Sequence, residues 1–153
     1  MTVRVQTQDF DIGAELEKLA AGNHQVGGVA SFIGLVRDIA PEGSGAASSM
    51  TLEHYPGMTE KRLAEIEAEA QRRWPLSATL IIHRYGRLEP GDRIVLVATA
   101  SSHREAALES CAFLIDWLKT EAPFWKLEDG PEGARWVEAK TSDDARKAAW
   151  LRK

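Results

Sequence analysis

Residues 101–128 read SSHREAALESCAFLIDWLKTEAPFWKLE, a segment that predicts one long central helix. Ser102 and Glu105 have the spacing of a capping box, in which two side chains accept hydrogen bonds from free backbone N–H groups at a helix start. Pro123 cannot continue a helix, so the helix is predicted to end by about Glu121. One buried face is predicted from the apolar residues at helical spacing, which are Ala107, Leu108, Cys111, Ala112, Ile115 and Leu118.

Both ends of this helix carry cations. His103 and Arg104 fall in the first turn, where free N–H groups favour an anion, so an arginine there is unfavourable unless a negative ligand comes too. Lys119 falls in the last turn, and Lys126 follows the proline. Each of these cations, taken alone, is also explained as a solvated surface residue.

The two ends are far apart. Positions 103 and 119 differ by 16 residues, which is roughly 24 Å at about 1.5 Å per helical residue. The cations cannot share one small-molecule pocket within one copy of the helix. Either there are two sites, or a second copy brings its helix start to the helix end of the first; we favour the second interpretation.

Composition bounds the class of protein. The chain has 153 residues, a net charge of −4 and 44% hydrophobic residues, as expected for one soluble domain without a general nucleic-acid surface. Charged residues interrupt the N-terminus, so no signal peptide is predicted. Residues 19–36 lack charge but contain four glycines, so no membrane helix is predicted there and the expected location is cytoplasmic. The single cysteine, Cys111, is interpreted as a buried structural thiol.

The remaining chain predicts an α+β fold of one domain over residues 1–153, with an antiparallel sheet and no run of βαβ units. An EPGD turn at 89–92 joins the two strongest strands into a hairpin. Residues 38–49 form a predicted flexible loop. The predicted strands are 3–7, 26–36, 50–55, 78–85, 93–100 and 135–140, and the other helices are 11–21, 59–74 and a short one capped by Ser142.

Two local features bear on the fold and on a site. Gly27 and Gly28 inside a strand suggest a bulge or a close backbone approach. Glu53 and His54 resemble an acid–base pair, but neighbouring strand residues point to opposite faces, so they are not expected to act on one atom.

The candidate chemistry is that of cations around an anionic substrate. Neither metal-ligand spacing nor a Ser-His-Asp arrangement is present in the sequence. Arginine and histidine at a helix start suit a phosphate, and a protonated lysine can donate a proton or stabilise an oxyanion. The cations in question are Arg37, His103, Arg104, Lys119, Lys126 and Lys140.

Four contiguous motifs carry a family resemblance. They are LEHYPGMTEK from Leu52, HRxxA from His103, LKTxAPFWKxE from Leu118 and PEGxRWVEA from Pro131. Over roughly residues 26–150 the chain resembles the large, catalytic subunits of molybdopterin synthase, the MoaE family. The resemblance implies an α/β-hammerhead-like single domain.

The implied activity is that of a sulfurtransferase of molybdenum cofactor biosynthesis. Such a subunit takes sulfur from the thiocarboxylated Gly-Gly C-terminus of a small ubiquitin-like carrier. It converts cyclic pyranopterin monophosphate (precursor Z) into the dithiolene molybdopterin. The pterin is a substrate, so no cofactor and no metal are expected. The implied assembly is a homodimer with one carrier at each outer end, a heterotetramer.

The resemblance also implies roles for particular residues. Lys119 would be the main catalytic residue, with Lys126 as its partner. Lys140 would reach the site from the partner subunit. The implied substrate-binding residues are Leu35, Val36, Arg37, His103, Arg104, Lys119, Lys126, Leu127 and Glu128. Phe124 and Trp125 have two interpretations, a groove for the carrier tail or core packing.

Two other functions stay open from the residues alone. The first is a non-catalytic docking module for a ubiquitin-like carrier, which would be free to lose Lys119 and Lys126. The second is an unrelated phosphate-binding enzyme that uses a lysine Schiff base, which borohydride trapping would detect.

Overall fold

The computed structural model describes residues 2–38, 49–130, 133–137 and 141–151. Most of the predicted loop at 38–49 lies outside these residues. The helices described are α1 (Ile12–Ala20), α2 (Met58–Arg73), α3 (Arg104–Glu121) and α4 (Thr141–Leu151). The strands described are β1 (Thr2–Gln6), β2 (Gly28–Leu35), β3 (Ser49–His54), β4 (Leu76–Arg84), β5 (Gly86–Leu88), β6 (Arg93–Ser101), β7 (Phe124–Gly130) and β8 (Gly133–Val137).

The strands form two four-stranded sheets. The first sheet has the order β1-β4-β6-β2, and the second has the order β5-β3-β7-β8. The predicted α+β class with antiparallel pairing is confirmed, with one exception. Strand β1 pairs with β4 in parallel, which is possible because the chain between them is long enough to return to the same end of the sheet.

The predicted hairpin is only partly right. Strands β4 and β6 pair in antiparallel fashion, but the chain between them is not one tight turn. It first forms β5, which pairs with β3 in the second sheet, and then makes the turn at 89–92. Gly86 permits this departure because its φ of 88° is open to glycine and costly for other residues.

Strand β7 was not predicted from the sequence. Proline, aromatic residues and mixed charges obscure an alternating pattern between residues 123 and 130. The strand forms through its pairing with β3 and β8, so it depends on tertiary contacts rather than on local propensity.

Helices cover both faces of the first sheet. On one face, α2 and α3 pack in a core that includes Leu63, Ile81 and Val97, all almost fully buried. On the other face, α1 packs on Leu80 and Leu96. One apolar face of α1 packs against this second cluster, and it is formed by Ile12, Leu16 and Leu19.

Helix α3 ends at Glu121 as predicted, but its start and its buried face differ from the prediction. The N-cap is His103, without a side-chain capping bond; the predicted capping box is wrong because β6 extends to Ser101 and Ser102 belongs to the connection. Leu108 is 62% exposed. Phe113 and Leu114 are fully buried, because α3 packs on α2 and α4 as well as on the sheet.

A close backbone approach explains Gly27. A Cβ on this residue would lie 2.0 Å from the carbonyl oxygen of Ser102, and the Gly27 N–H donates to the Ser101 carbonyl at 2.9 Å. Glycine therefore lets the start of β2 press against the connection into α3.

Two further observations concern the helices. The helix α4 begins at Thr141, so Ser142 lies inside its first turn and the prediction of Ser142 as the cap is wrong. Among the helices that the structure describes, none combines the length and apolar character needed to cross a membrane.

Candidate active site

The direction of α3 decides which cations can meet. The Thr99 hydroxyl donates to the Ala107 carbonyl at 2.6 Å, and the Cys111 thiol lies 3.8 Å from the Val97 carbonyl. As α3 advances, its contacts therefore move back along β6. Because the helix continues in this direction along β6, Lys119 in its last turn lies level with the start of β6.

This end of the sheet also holds the end of β2. Leu35 pairs with Arg93, the first residue of β6. Val36 follows, with its N–H donating to the Asp92 carbonyl at 2.9 Å, and Arg37 is exposed beyond it. The structure therefore brings the predicted residues 35–37 to the same end of the first sheet as Lys119.

Lys126 comes to the same region from the second sheet. It pairs with Leu52 of β3 and follows Phe124, whose N–H donates to the Ala122 carbonyl at 2.9 Å just beyond α3. Lys119 and Lys126 both act electrostatically on the buried ring of His83. Both lysines therefore lie close enough to His83 for their charges to act on its ring.

His83 is a buried, neutral histidine at the end of β4. Its ring stacks on Phe124, with centroids 3.8 Å apart and an angle of 18° between the planes. Burial, followed by smaller effects that include the charges of Lys119 and Lys126, lowers the pKa of His83 to about 3. Nδ1 lies 2.8 Å from the Arg84 carbonyl. Because a carbonyl only accepts, Nδ1 carries the ring proton.

A second histidine extends this stack. The ring of His54 lies 4.2 Å from that of Tyr85 and 6.4 Å from that of Phe124, centroid to centroid. Its Nε2 is 3.6 Å from a carboxylate oxygen of Glu60, whereas Glu53 is exposed, as expected for opposite faces of a strand. We call His54, His83, Tyr85 and Phe124 the ring cluster.

The ring cluster could not be predicted from the sequence, in which only His54 and Phe124 stood out, each for a different reason. His83 follows Ile81 and Ile82 in an apolar strand, which is typical of an ordinary core residue. The signal that could have found it is a histidine at the end of a buried strand, facing the segment that carries Lys126. The contact of Phe124 with His83 and with the main core agrees with the packing interpretation of this aromatic.

His103 and Arg104 are not brought to the lysines. Both are exposed at the start of α3, and a Cβ on Gly28 would lie 3.8 Å from the Arg104 Cα. Arg104 and Lys119 are fifteen residues apart in α3, roughly 23 Å along the axis. One copy of the chain therefore carries cations at two opposite ends.

The other predicted site residues can be placed only in part. Leu127 and Glu128 follow Lys126 in β7, where their backbones pair with Thr51 and Met50. Lys140 lies outside the described residues.

Cys111 is a structural thiol. It is 6% exposed, and burial raises the pKa of its thiol to about 11. A thiol with this pKa is a poor nucleophile at neutral pH. Among the residues described, no group of three or more His, Cys, Asp or Glu is arranged to hold a metal ion.

A surface depression of about 450 Å³ lies on the α1 face of the first sheet, away from the lysines. Asp9, Phe10, Asp11 and Arg93 line it. Asp9 forms two hydrogen bonds with Arg93, at 3.0 and 2.7 Å, and this guanidinium lowers the pKa of Asp9 to about 2. Because these charges satisfy each other, we interpret the depression as a structural ion pair that joins the N-terminal segment to β6.

Comparison with known proteins gives a consistent result. A family model described as "MoaE protein" matches residues 5–121. The "molybdopterin synthase catalytic subunit" of Ralstonia nicotianae is 58% identical over 149 residues, which is 97% of this chain and 84% of that protein.

Solved structures agree in fold. The MoaE protein of Burkholderia ambifaria has a TM-score of 0.82 at 54% identity, with 98% of each chain covered. The molybdopterin synthase of Staphylococcus aureus has a TM-score of 0.78 at 31% identity, over 88% of this chain and 96% of that one. From the family match, the identities and the shared fold together, the chain belongs to the MoaE family.

Proposed function

We propose that this chain is the catalytic subunit of a molybdopterin synthase. Its reaction would be sulfur transfer from a thiocarboxylated carrier protein to precursor Z, which gives the molybdopterin dithiolene. The observation that carries the proposal is the convergence of Lys119 and Lys126 on His83, in a chain of the MoaE family. A docking module has no need of two lysines brought together from different elements.

The chemistry needs cations rather than a metal or a redox group. Each sulfur replaces an oxygen on a substrate carbon, so that a carbon–sulfur bond forms and a carbon–oxygen bond breaks. The carrier's own carbon–sulfur bond is hydrolysed to a carboxylate with an oxygen from water, and no electrons are gained or lost. A lysine ammonium can stabilise the departing carboxylate and protonate an oxygen of the opened cyclic phosphate. We assign this role to Lys119, with Lys126 assisting.

The substrate would lie against residues from both sheets. Arg37 at the end of β2 is exposed and suits a phosphate. Leu35 and Val36 precede it, and Leu127 and Glu128 follow Lys126, so these residues complete the proposed binding set. The pterin would be a substrate and would leave as product.

His103 and Arg104 enter this proposal through a second copy of the chain. They lie roughly 23–24 Å from Lys119 along the helix axis, yet they present cations at a helix start, where a phosphate is favoured. We propose a homodimer in which the helix start of one copy meets the lysines of the other, with Lys140 also coming from the partner. Two carriers would complete a cytoplasmic heterotetramer, and each subunit of this chain would be one domain over residues 1–153.

The test is single-turnover conversion of precursor Z with a thiocarboxylated carrier. The parent chain is expected to form dithiolene product, and Lys119→Ala is expected to lose about a hundredfold or more in rate. Lys18→Ala is the matched control, because Lys18 also lies in the last turn of a helix but on the other face of the sheet. It should keep the parental rate.

If the chain is a non-catalytic docking module, a different result of this experiment is expected. If neither the parent chain nor Lys119→Ala forms product while carrier binding stays intact, the chain is a binding subunit. If both form product at one rate, the enzyme stands and the role of Lys119 is wrong.

A further inference from the structure

We propose that His83 is a positioning residue of the lysine site. Its ring supports Phe124 and thereby sets where Lys126 stands relative to Lys119. This inference rests on the proposed function for its catalytic consequence, whereas its structural consequence can be measured without activity.

Phe124 and Lys126 are two residues apart in one strand, so their side chains leave the same face. The ring of His83 stacks on Phe124 at 3.8 Å. His83 therefore lies on the face from which Lys126 projects, and a change at the ring is passed to Lys126 over two residues.

The His83 ring is itself held in place. Its Nδ1–H donates to the Arg84 carbonyl at 2.8 Å, at the last residue of β4. His83 is 3% exposed, so the ring has little room to turn. A ring held at one edge and stacked on one face has a fixed position, as a supporting residue needs.

The start of β7 is also held by contacts other than the stack on His83. The Thr59 hydroxyl donates to the Pro123 carbonyl at 3.3 Å, and the Phe124 backbone pairs with that of His54 in β3. These contacts fix the backbone, but within the described residues the stack on His83 is the closest ring contact of Phe124.

The choice of histidine fits two neighbouring ammonium groups. A protonated ring at this place would repel Lys119 and Lys126, and burial opposes that protonation. The neutral ring adds no charge to the site. It keeps a polar edge for the Arg84 carbonyl, which an apolar ring cannot bind.

The experiment is a double-mutant cycle on the single-turnover rate. We expect His83→Ala to slow sulfur transfer by about tenfold with little change in carrier binding, since positioning acts on the chemical step. The variant with both His83→Ala and Lys126→Ala should be no slower than Lys126→Ala, within about twofold, because the two residues act in one chain of contacts. Losses that multiply would overturn the proposal.

Conservative rescue separates support from general stability. His83→Phe keeps a ring to stack on Phe124 but loses the hydrogen bond to the Arg84 carbonyl, so it should recover part of the rate. His83→Leu fills similar space without a ring and should not. If Leu and Phe rescue equally, the ring has no positioning role. These two variants also serve if His83→Ala does not fold.

A readout independent of activity distinguishes this proposal from the proposed function. The rate at which Lys126 reacts with an amine-directed reagent should change about threefold or more in His83→Leu. It should change less in His83→Phe than in His83→Leu, with Lys18 as the internal control. An unchanged Lys126 rate in His83→Leu would overturn the inference, even in a chain without synthase activity.

Discussion

Glu67 is a buried carboxylate whose ionisation lowers the stability of the folded protein. It lies in α2 and is 3% exposed, and one of its carboxylate oxygens has no hydrogen-bond partner within the described part of the chain. Burial raises the pKa of Glu67, and a hydrogen bond with Thr79 opposes the shift only in part. Ionising this carboxylate at neutral pH therefore costs free energy.

We predict that Glu67 makes the free energy of unfolding depend on pH. Because the folded protein holds this proton more tightly than the unfolded chain, the free energy of unfolding decreases as the pH rises from the unfolded pKa of about 4.3 through the raised folded pKa. We expect Glu67→Gln to be more stable than the parent at pH 8 by on the order of 1 kcal/mol. The difference should shrink toward pH 4, as urea unfolding at a series of pH values would measure.

The control is Glu65→Gln on the same helix. Glu65 is an exposed partner of Arg62, with 49% of its side chain exposed, and exposed ion pairs contribute little. Its replacement should leave the pH dependence of unfolding unchanged. A Glu67→Gln variant with the parental pH dependence would show that Glu67 is not the group responsible.

At this scale the sequence predicts burial better than contacts. The buried thiol of Cys111 follows from its place on an apolar helix face. Glu67 could not be predicted, since a carboxylate beside Ile66 in a charged helix is normally solvated. Leu108 was assigned to the core because one helical stripe was assumed, whereas α3 is buried on two sides and turns Leu108 outward.

Elements differ in how far local sequence determines them. Helix α3 ends where Pro123 requires. Helix α1 begins close to its predicted start at residue 11, where the Asp11 side chain accepts from the Ala14 N–H at 3.0 Å and caps the helix. Strands β5 and β7 exist through pairing with β3, and such pairing is not encoded in a short window. The part of the fold that the sequence did not predict was therefore β5 and β7, two of the four strands of the second sheet.

A buried carboxylate of α3 contributes to holding helix α4 on the body of the protein. Asp116 of α3 accepts from the Arg146 Nε at 2.8 Å and from the Trp150 Nε1 at 2.7 Å. The Trp150 ring packs edge-on against Trp74 and Phe113, each with centroids 5.7 Å apart. The contacts of Asp116 therefore join the C-terminal helix to the main core.

We predict that Asp116→Ala lowers the free energy of unfolding by about 2 kcal/mol, because it removes the acceptor of two partly buried hydrogen bonds. Thermal unfolding should show a decrease of roughly 5–10 °C. Glu109→Ala is the matched control, since Glu109 also accepts from an indole, that of Trp74 at 3.0 Å, but at an exposed position. An equal decrease in both variants would contradict the special role of Asp116.

The whole molecule separates two groups of cations. Lys119, Lys126 and Arg37 lie toward one end of the first sheet, and His103 and Arg104 lie at the other. The length of α3 alone predicted this separation. The ring cluster that joins the two lysines could not be predicted, because His54 and His83 come from strands of different sheets and meet only in the folded chain.

The separation leads to a prediction about mixed dimers. If each site takes Lys119 from one copy and Arg104 from the other, Lys119→Ala and Arg104→Ala should each be nearly inactive alone. In a dimer with one copy of each variant, one site carries both changes and the other carries neither. Co-expression with two different tags and sequential purification would isolate such dimers.

The mixed dimers should show about half the activity of the parent dimer per mole, because one of their two sites is intact. The same rescue is expected with His103→Ala in place of Arg104→Ala. Lys119→Ala mixed with Lys126→Ala is the control, since both lysines belong to one copy and every site would then lack one of them. Mixed dimers of Lys119→Ala and Arg104→Ala that are as inactive as their parents would mean that the two ends of α3 do not act in a shared site.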